Sequence, residues 1–324
     1  MRPKIFFLSL LSGLLLFSCA HMPMDARYVG PPKVPESIKS QYAYLPYRGP
    51  YSEILVRENK FYGIKQIELT STKNIIPSAG HITMDYYAVK GQGKKPLVMV
   101  LPILGGSNKV AELFAAWFAK NGMAALIVHR HKAYKKLKEI DTMDAVLRQI
   151  VFDHMQVLDW AETRKELDVS NIGVFGVSMG GIKAALVSSL DRRIKVSVFV
   201  LAGGDIPYIL SHSTDKGVRK RRERYLQKNG LSREQFYIGL KNNITCDPLH
   251  YAPYIDAENS LMVLALFDRV VPFGKGLQLK EKMGNPETIY LLAGHYSSIV
   301  YVPYIKYKAL SFFKKKFKTS QAGP

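Results

Sequence analysis

Short, nearly unbroken apolar runs alternate with amphipathic stretches along most of this chain. Pro96 to Leu101, Met123 to Val128, Ile172 to Val177, Ile194 to Leu201, Leu261 to Phe267 and Glu287 to Leu292 are the runs. Such density is expected of strands covered on both faces, since a strand with one wet face alternates polar and apolar positions. Phe61 to Thr70 and Ile82 to Val89 do alternate, imperfectly, and read as two opening antiparallel strands. Between the runs the period becomes helical. Val110 to Lys120 reads as a helix capped by Ser107 or Asn108, and Asp141-Thr142 opens a longer one carrying Leu147, Ile150, Val151, Leu158 and Ala161. A last helix runs from about Val302 to Phe317. Helices alternating with buried strands predict an α/β domain with a doubly wound, mostly parallel sheet.

The alternation fails in three places. Residues 205–259 are too long for an ordinary connection and read as an inserted helical lid. Residues 19–55 carry Pro23, Pro31, Pro32, Pro35, Pro46 and Pro50, which block helix and central strand. They read as a semi-extended tether, with Tyr42, Tyr44 and Tyr47 pinning its end to a globular domain at 56–318. Residues 1–18 read as a secretory signal: Arg2 and Lys4 precede an apolar Ile5 to Phe17, too short to span a bilayer comfortably.

Composition sharpens this picture. The chain has 324 residues, 47% of them hydrophobic, enough to bury a large core. Lys+Arg is 46 against 26 Asp+Glu, a formal net charge of +20 that favours anionic partners. The basic residues are spread widely and form no nucleic-acid motif, which points to anionic lipid or an acidic substrate instead. The lid run Lys216, Arg219, Lys220, Arg221, Arg222 and Arg224 has two readings, a solvated helix face or a contact for lipid headgroups, and Lys314-Lys315-Lys316 shares them. The cysteines are Cys19 and Cys246, too few for a disulfide framework or a cysteine-built metal site. Cys246 reads as a buried small apolar residue. His129-Arg130-His131 ends a strand beside Lys132, Lys135 and Lys136, and is expected on a site rim rather than at a metal. His154, on an apolar helix face, reads as structural.

The chemistry centres on Gly176-Val177-Ser178-Met179-Gly180, between a buried run and a small-residue helix. Glycines flank the serine because a sharp strand-to-helix turn leaves no room for side chains there. Serine needs a base, an acid to orient that base, and amide donors for the oxyanion. Ser178, Asp268 and His295 occur in that order, each just past a buried strand, so a parallel sheet would bring all three to its carboxyl edge. Asp205, at another strand end, is a rival acid; His212 and His250 lie in the lid and fit the base role less well.

From about Phe61 to Phe317 the chain resembles an α/β-hydrolase. The serine turn is similar to the nucleophile elbow, Asp268-Arg269-Val270-Val271-Pro272 to the acid turn, and Gly294-His295 to the histidine loop. The resemblance implies Ser178 as nucleophile, His295 as general base and acid, and Asp268 as its orienter. It makes the Met179 N–H one oxyanion donor. By match of Pro102-Ile103-Leu104-Gly105-Gly106 to the oxyanion loop it makes Leu104 the second, with Ile103 the alternative. It implies no cofactor or metal, and an acyl-ester small molecule or lipid as substrate. Leu16-Phe17-Ser18-Cys19 resembles the bacterial lipoprotein box, which implies lipidation of Cys19 and a membrane tether; the alternative is a plain secretory signal. Ala20, in place of Asp, leans towards the outer membrane. The leading expectation is a membrane-tethered serine esterase or thioesterase of the cell envelope. A peptidase or acyltransferase on the same fold, and a non-catalytic binding lipoprotein, are the alternatives.

Overall fold

The computed structural model describes residues 19–103, 108–131 and 140–321. Among them the apolar runs become strands where expected: β5 (Lys95–Leu101), β6 (Ala124–Val128), β7 (Leu167–Val177), β8 (Ile194–Val200), β9 (Ser260–Ala265) and β10 (Glu287–Leu291). They are preceded by β1 (Cys19–Met22), β2 (Tyr51–Glu58), β3 (Tyr62–Thr70) and β4 (His81–Val89). The sheet order is β1-β10-β9-β8-β7-β5-β6-β4-β3-β2. From β10 to β6 neighbouring strands run parallel, and β1 and β4 to β2 pair antiparallel. This is the doubly wound α/β architecture that the alternation predicts.

Helices cover both faces because each parallel step needs a crossover. The short α1 (Glu36–Lys39) lies in the N-terminal stretch, and one face packs α2 (Lys109–Lys120) and α10 (Val302–Gln321) on the sheet through Phe114, Phe118, Phe313 and Phe317, with Phe175 of β7 among them. On the other, α3 (Met143–Glu162), α4 (Met179–Leu190) and α9 (Phe273–Lys282) contribute Trp160, Ala184, Ala185 and Leu279. Residues 205–259 are helical as expected: α5 (Ile206–His212), α6 (Lys216–Asn229), α7 (Arg233–Asn243) and the short α8 (Pro248–Tyr251).

The N-terminal stretch departs from the expected tether. Cys19–Met22 adds a strand to the sheet, pairing Cys19 with Leu291 and Met22 with Thr288. Further on, Tyr28 donates its hydroxyl to Ile255 O at 3.3 Å, and Arg192 reaches Pro32 O at 3.1 Å. Tyr42 and Tyr47 are buried, and Tyr44 donates to Asp159 at 2.9 Å. Proline forbids regular structure but not extended packing, and each tyrosine brings ring area plus a hydroxyl that finds an acceptor. Tyr51–Glu58, whose first five residues were expected in the tether, forms an edge strand whose eight residues are all exposed. With neither face buried, it carries no alternation to read.

Candidate active site

β7 ends at Val177 and α4 begins at Met179, leaving Ser178 to make the whole turn at φ 56°, ψ −125°. A non-glycine residue there is strained, and the strain is held by contacts too close for side chains. A methyl on Gly176 would lie 2.2 Å from Gly180 O, one on Gly180 2.2 Å from Leu101 O, and one on Gly181 2.8 Å from Ala202 Cβ. The Ser178 N–H donates to Val200 O at 2.8 Å, pinning the turn to β8.

Asp268 follows β9 and is buried. Its Oδ1 accepts from the amides of Val270 (2.9 Å) and Val271 (3.0 Å), which fixes the carboxylate in the turn. Its Oδ2 is thereby aimed at His295 Nδ1, 2.7 Å away. His295 follows β10 in a loop closed by Ser297 Oγ, which accepts from the Gly294 amide at 2.8 Å, and Ser298 Oγ, which donates to Gly294 O at 2.7 Å. All three residues therefore stand at the carboxyl edge. No hydrogen bond joins the Ser178 hydroxyl to the His295 ring among the described residues.

The other candidates are otherwise engaged. Asp205 accepts from Lys275 Nζ at 2.7 Å and caps α5 through the Tyr208 amide, while Asp247 receives the amides of Asp205 and Ile206. His212 bonds Tyr208 O and stacks on the Tyr208 ring; His250 bonds Thr245 O. His129 lies 2.9 Å from Asp85 on β4, an acidic neighbour that local spacing does not reveal. The Met179 N–H opens α4, where an amide has no acceptor within its own helix. Leu104 lies outside the described residues. Ile103 is described, and the chain just before it touches the helix start, Pro102 O lying 3.2 Å from the place of a Gly180 methyl.

Two bases are buried beside the elbow: Lys183, which sequence reasoning missed, and His154, read from sequence as structural. Lys183, on the first turns of α4, is buried; burial foremost, and then the charge of Arg130, push its amine down to about 7. His154 of α3 is buried too. Its Nδ1 sits 2.6 Å from Ile150 O and its Nε2 has no partner, and burial lowers its pKa to about 4 despite that bond. A lysine in an alanine-rich helix ordinarily extends to water, so only the packing of α3 on α4 gives it away.

Residues 84–207 match the Dienelactone hydrolase family. That segment runs from β4 to the start of α5 and includes the elbow, while Asp268 and His295 lie beyond it. The chain has the α/β-hydrolase fold. An acetyl xylan esterase from Paenibacillus sp. R4 shares the fold with TM-score 0.62 at 20% identity, over 87% of this chain and 92% of that one. Acetyl xylan esterase 1 from Thermoanaerobacterium sp. JW/SL YS485 also has TM-score 0.62, at 16% identity over 90% and 99% of the two chains. Among curated relatives, an uncharacterized protein of Mycobacterium tuberculosis strain H37Rv is 26% identical over 158 residues, 48% of this chain and 35% of that protein. The match covers less than half the length of each of these curated relatives.

Proposed function

We propose that this α/β-hydrolase cleaves ester or thioester bonds through an acyl-enzyme on Ser178. The observation that carries the reading is the 2.7 Å bond from His295 Nδ1 to a buried Asp268 carboxylate at the sheet edge where the turn places Ser178. With Nδ1 committed to Asp268, Nε2 is the nitrogen left to take the Ser178 proton as Oγ attacks the acyl carbon. The Met179 amide, with Leu104 as the proposed second donor, holds the oxyanion. His295 then protonates the departing alcohol or thiol. Water, deprotonated by the same nitrogen, attacks the acyl-serine and releases the acid. An acyl ester, the bond class named for the two fold neighbours above, is the proposed substrate. Lipidation of Cys19 would tether the enzyme to a membrane of the cell envelope, the outer membrane by the Ala20 criterion, with the basic lid as a second contact.

Fluorophosphonate labelling of the unaltered chain and Ser178→Ala tests the chemistry. Labelling and ester turnover should both vanish in the variant with its fold intact. Hydrolysis retained by Ser178→Ala would remove Ser178 from the role. Cys19→Ala tests the tether: metabolic labelling by palmitate should disappear, and unchanged incorporation would place the lipid elsewhere.

A further inference from the structure

The loops that carry Asp268 and His295 also carry an exposed apolar cluster. Leu266, Phe267, Leu292, Tyr296, Ile299 and Val300 all face solvent, Ile299 being 71% and Phe267 62% exposed. Backbone bonds zip the two loops together: the Leu266 amide donates to Leu291 O at 3.0 Å and the Phe267 amide to Ala293 O at 2.9 Å. These residues therefore form one patch at the site rim. Contiguous exposed apolar surface of this kind marks a place of contact.

Two independent features say what it contacts. The first is the proposed lipid attachment. Cys19 pairs with Leu291, the last residue of β10, so acyl chains on Cys19 would leave the fold at the carboxyl edge, one residue in register from exposed Leu292. The second is charge. Helix α6 starts at this patch: Asp215 caps it, accepts from the Tyr296 hydroxyl, and precedes a helix whose Lys216, Arg219, Lys220, Arg221 and Arg224 are exposed. An apolar patch flanked by cationic residues fits a surface with an acyl interior and anionic headgroups.

We propose that the carboxyl edge docks on an anionic lipid bilayer, with Phe267, Leu292, Ile299 and Val300 entering the acyl boundary and α6 lying on the headgroups. The inference rests on the membrane-tethered reading above and adds an orientation to it. The active site faces the bilayer, so its substrates are acyl esters presented by the membrane.

The full chain with its tether is reconstituted on vesicles of phosphatidylcholine with or without phosphatidylglycerol. Phe267→Trp is compared with the unaltered chain for quenching by acyl-brominated lipid, and Ile299→Trp serves as a second reporter. The added emission should shift to the blue and be quenched, more so with phosphatidylglycerol. Ile299→Asp/Val300→Asp should abolish quenching of Trp introduced at 267 without moving the thermal midpoint, since both positions are exposed. Lys220→Glu/Arg221→Glu should weaken docking on anionic vesicles by on the order of tenfold or more. If the chain floats with vesicles while both reporters stay unquenched, docking is overturned and the tether stands. If the unaltered chain does not float, the tether reading falls, and docking falls with it.

Discussion

Helices α4 and α6 border the same site and are built on opposite terms. In α4, ten of twelve residues are buried, and two glycines at its start, Gly180 and Gly181, allow close backbone approach. In α6, fourteen residues long, only Arg222 is buried. It is held by its ends, with the Asp215 carboxylate accepting from the Val218 amide at 2.8 Å and Gly230 closing it at φ 62°. The contrast separates two jobs. α4 holds the serine by excluding side chains, so its sequence has little freedom. α6 presents its charge outward, and folding by itself leaves its exposed positions free wherever the ends are kept.

The largest effect that would test this contrast is Gly180→Ala. A methyl 2.2 Å from the Leu101 carbonyl oxygen cannot fit without moving β5 or the helix start. Urea unfolding should show a loss of about 3 kcal/mol or more, with fluorophosphonate labelling lost as well. A cost under about 1 kcal/mol would mean that the helix start slides freely.

Next in size, Lys183→Met should stabilise the fold. No hydrogen bond or ion pair to the Lys183 amine is found among the described residues, and burial lowers its pKa from an ordinary 10.5 to about 7. Below pH 7 the amine is charged in both states, and the folded state bears the burial cost. Between 7 and 10.5 the unfolded chain binds more protons, so stability rises with pH. The variant should gain about 2 kcal/mol at pH 6 and lose that slope. His154 adds a lower window. Its stabilisation is complete above pH 6.5 and is lost as pH falls towards 4, a trend that urea titrations of the unaltered chain should show.

Arg222 is the exception within α6. Its guanidinium donates to Leu210 O and Ser213 O, each at 3.1 Å, tying α6 to α5. Arg222→Ala should cost about 1–2 kcal/mol, measured by thermal unfolding. Smallest of all, Lys220→Ala on the exposed face should stay within about 0.5 kcal/mol. A larger loss there would contradict the view of α6 as a solvated helix.

Much of the scaffold was legible because burial on two faces leaves a local mark. The six parallel strands stand within a few residues of their apolar runs, and the helical insert was marked by the break in alternation. Ser178, Asp268 and His295 were legible as strand-end residues with diagnostic neighbours. The glycines at 176 and 180 were legible for the same reason, since a close backbone approach leaves no substitute. β1 and β2 were not legible. One is four residues long and the other is wet on both faces, so neither carries a period.

The sequence by itself determined the layered α/β class, the turn that exposes Ser178, and the short list of acids and bases able to serve it. Those follow from nearest-neighbour sterics and from periods that repeat over a few residues. Only the tertiary structure shows what separates Asp268 from its rival Asp205, since both end strands and differ in what the fold brings against them. One receives Lys275, the other the imidazole. The fold likewise decided that Cys19 lies beside Leu291 and that Lys183 is shut away beneath α3. Such contacts join positions far apart in the chain, and no local pattern encodes a neighbour that arrives only when the sheet closes.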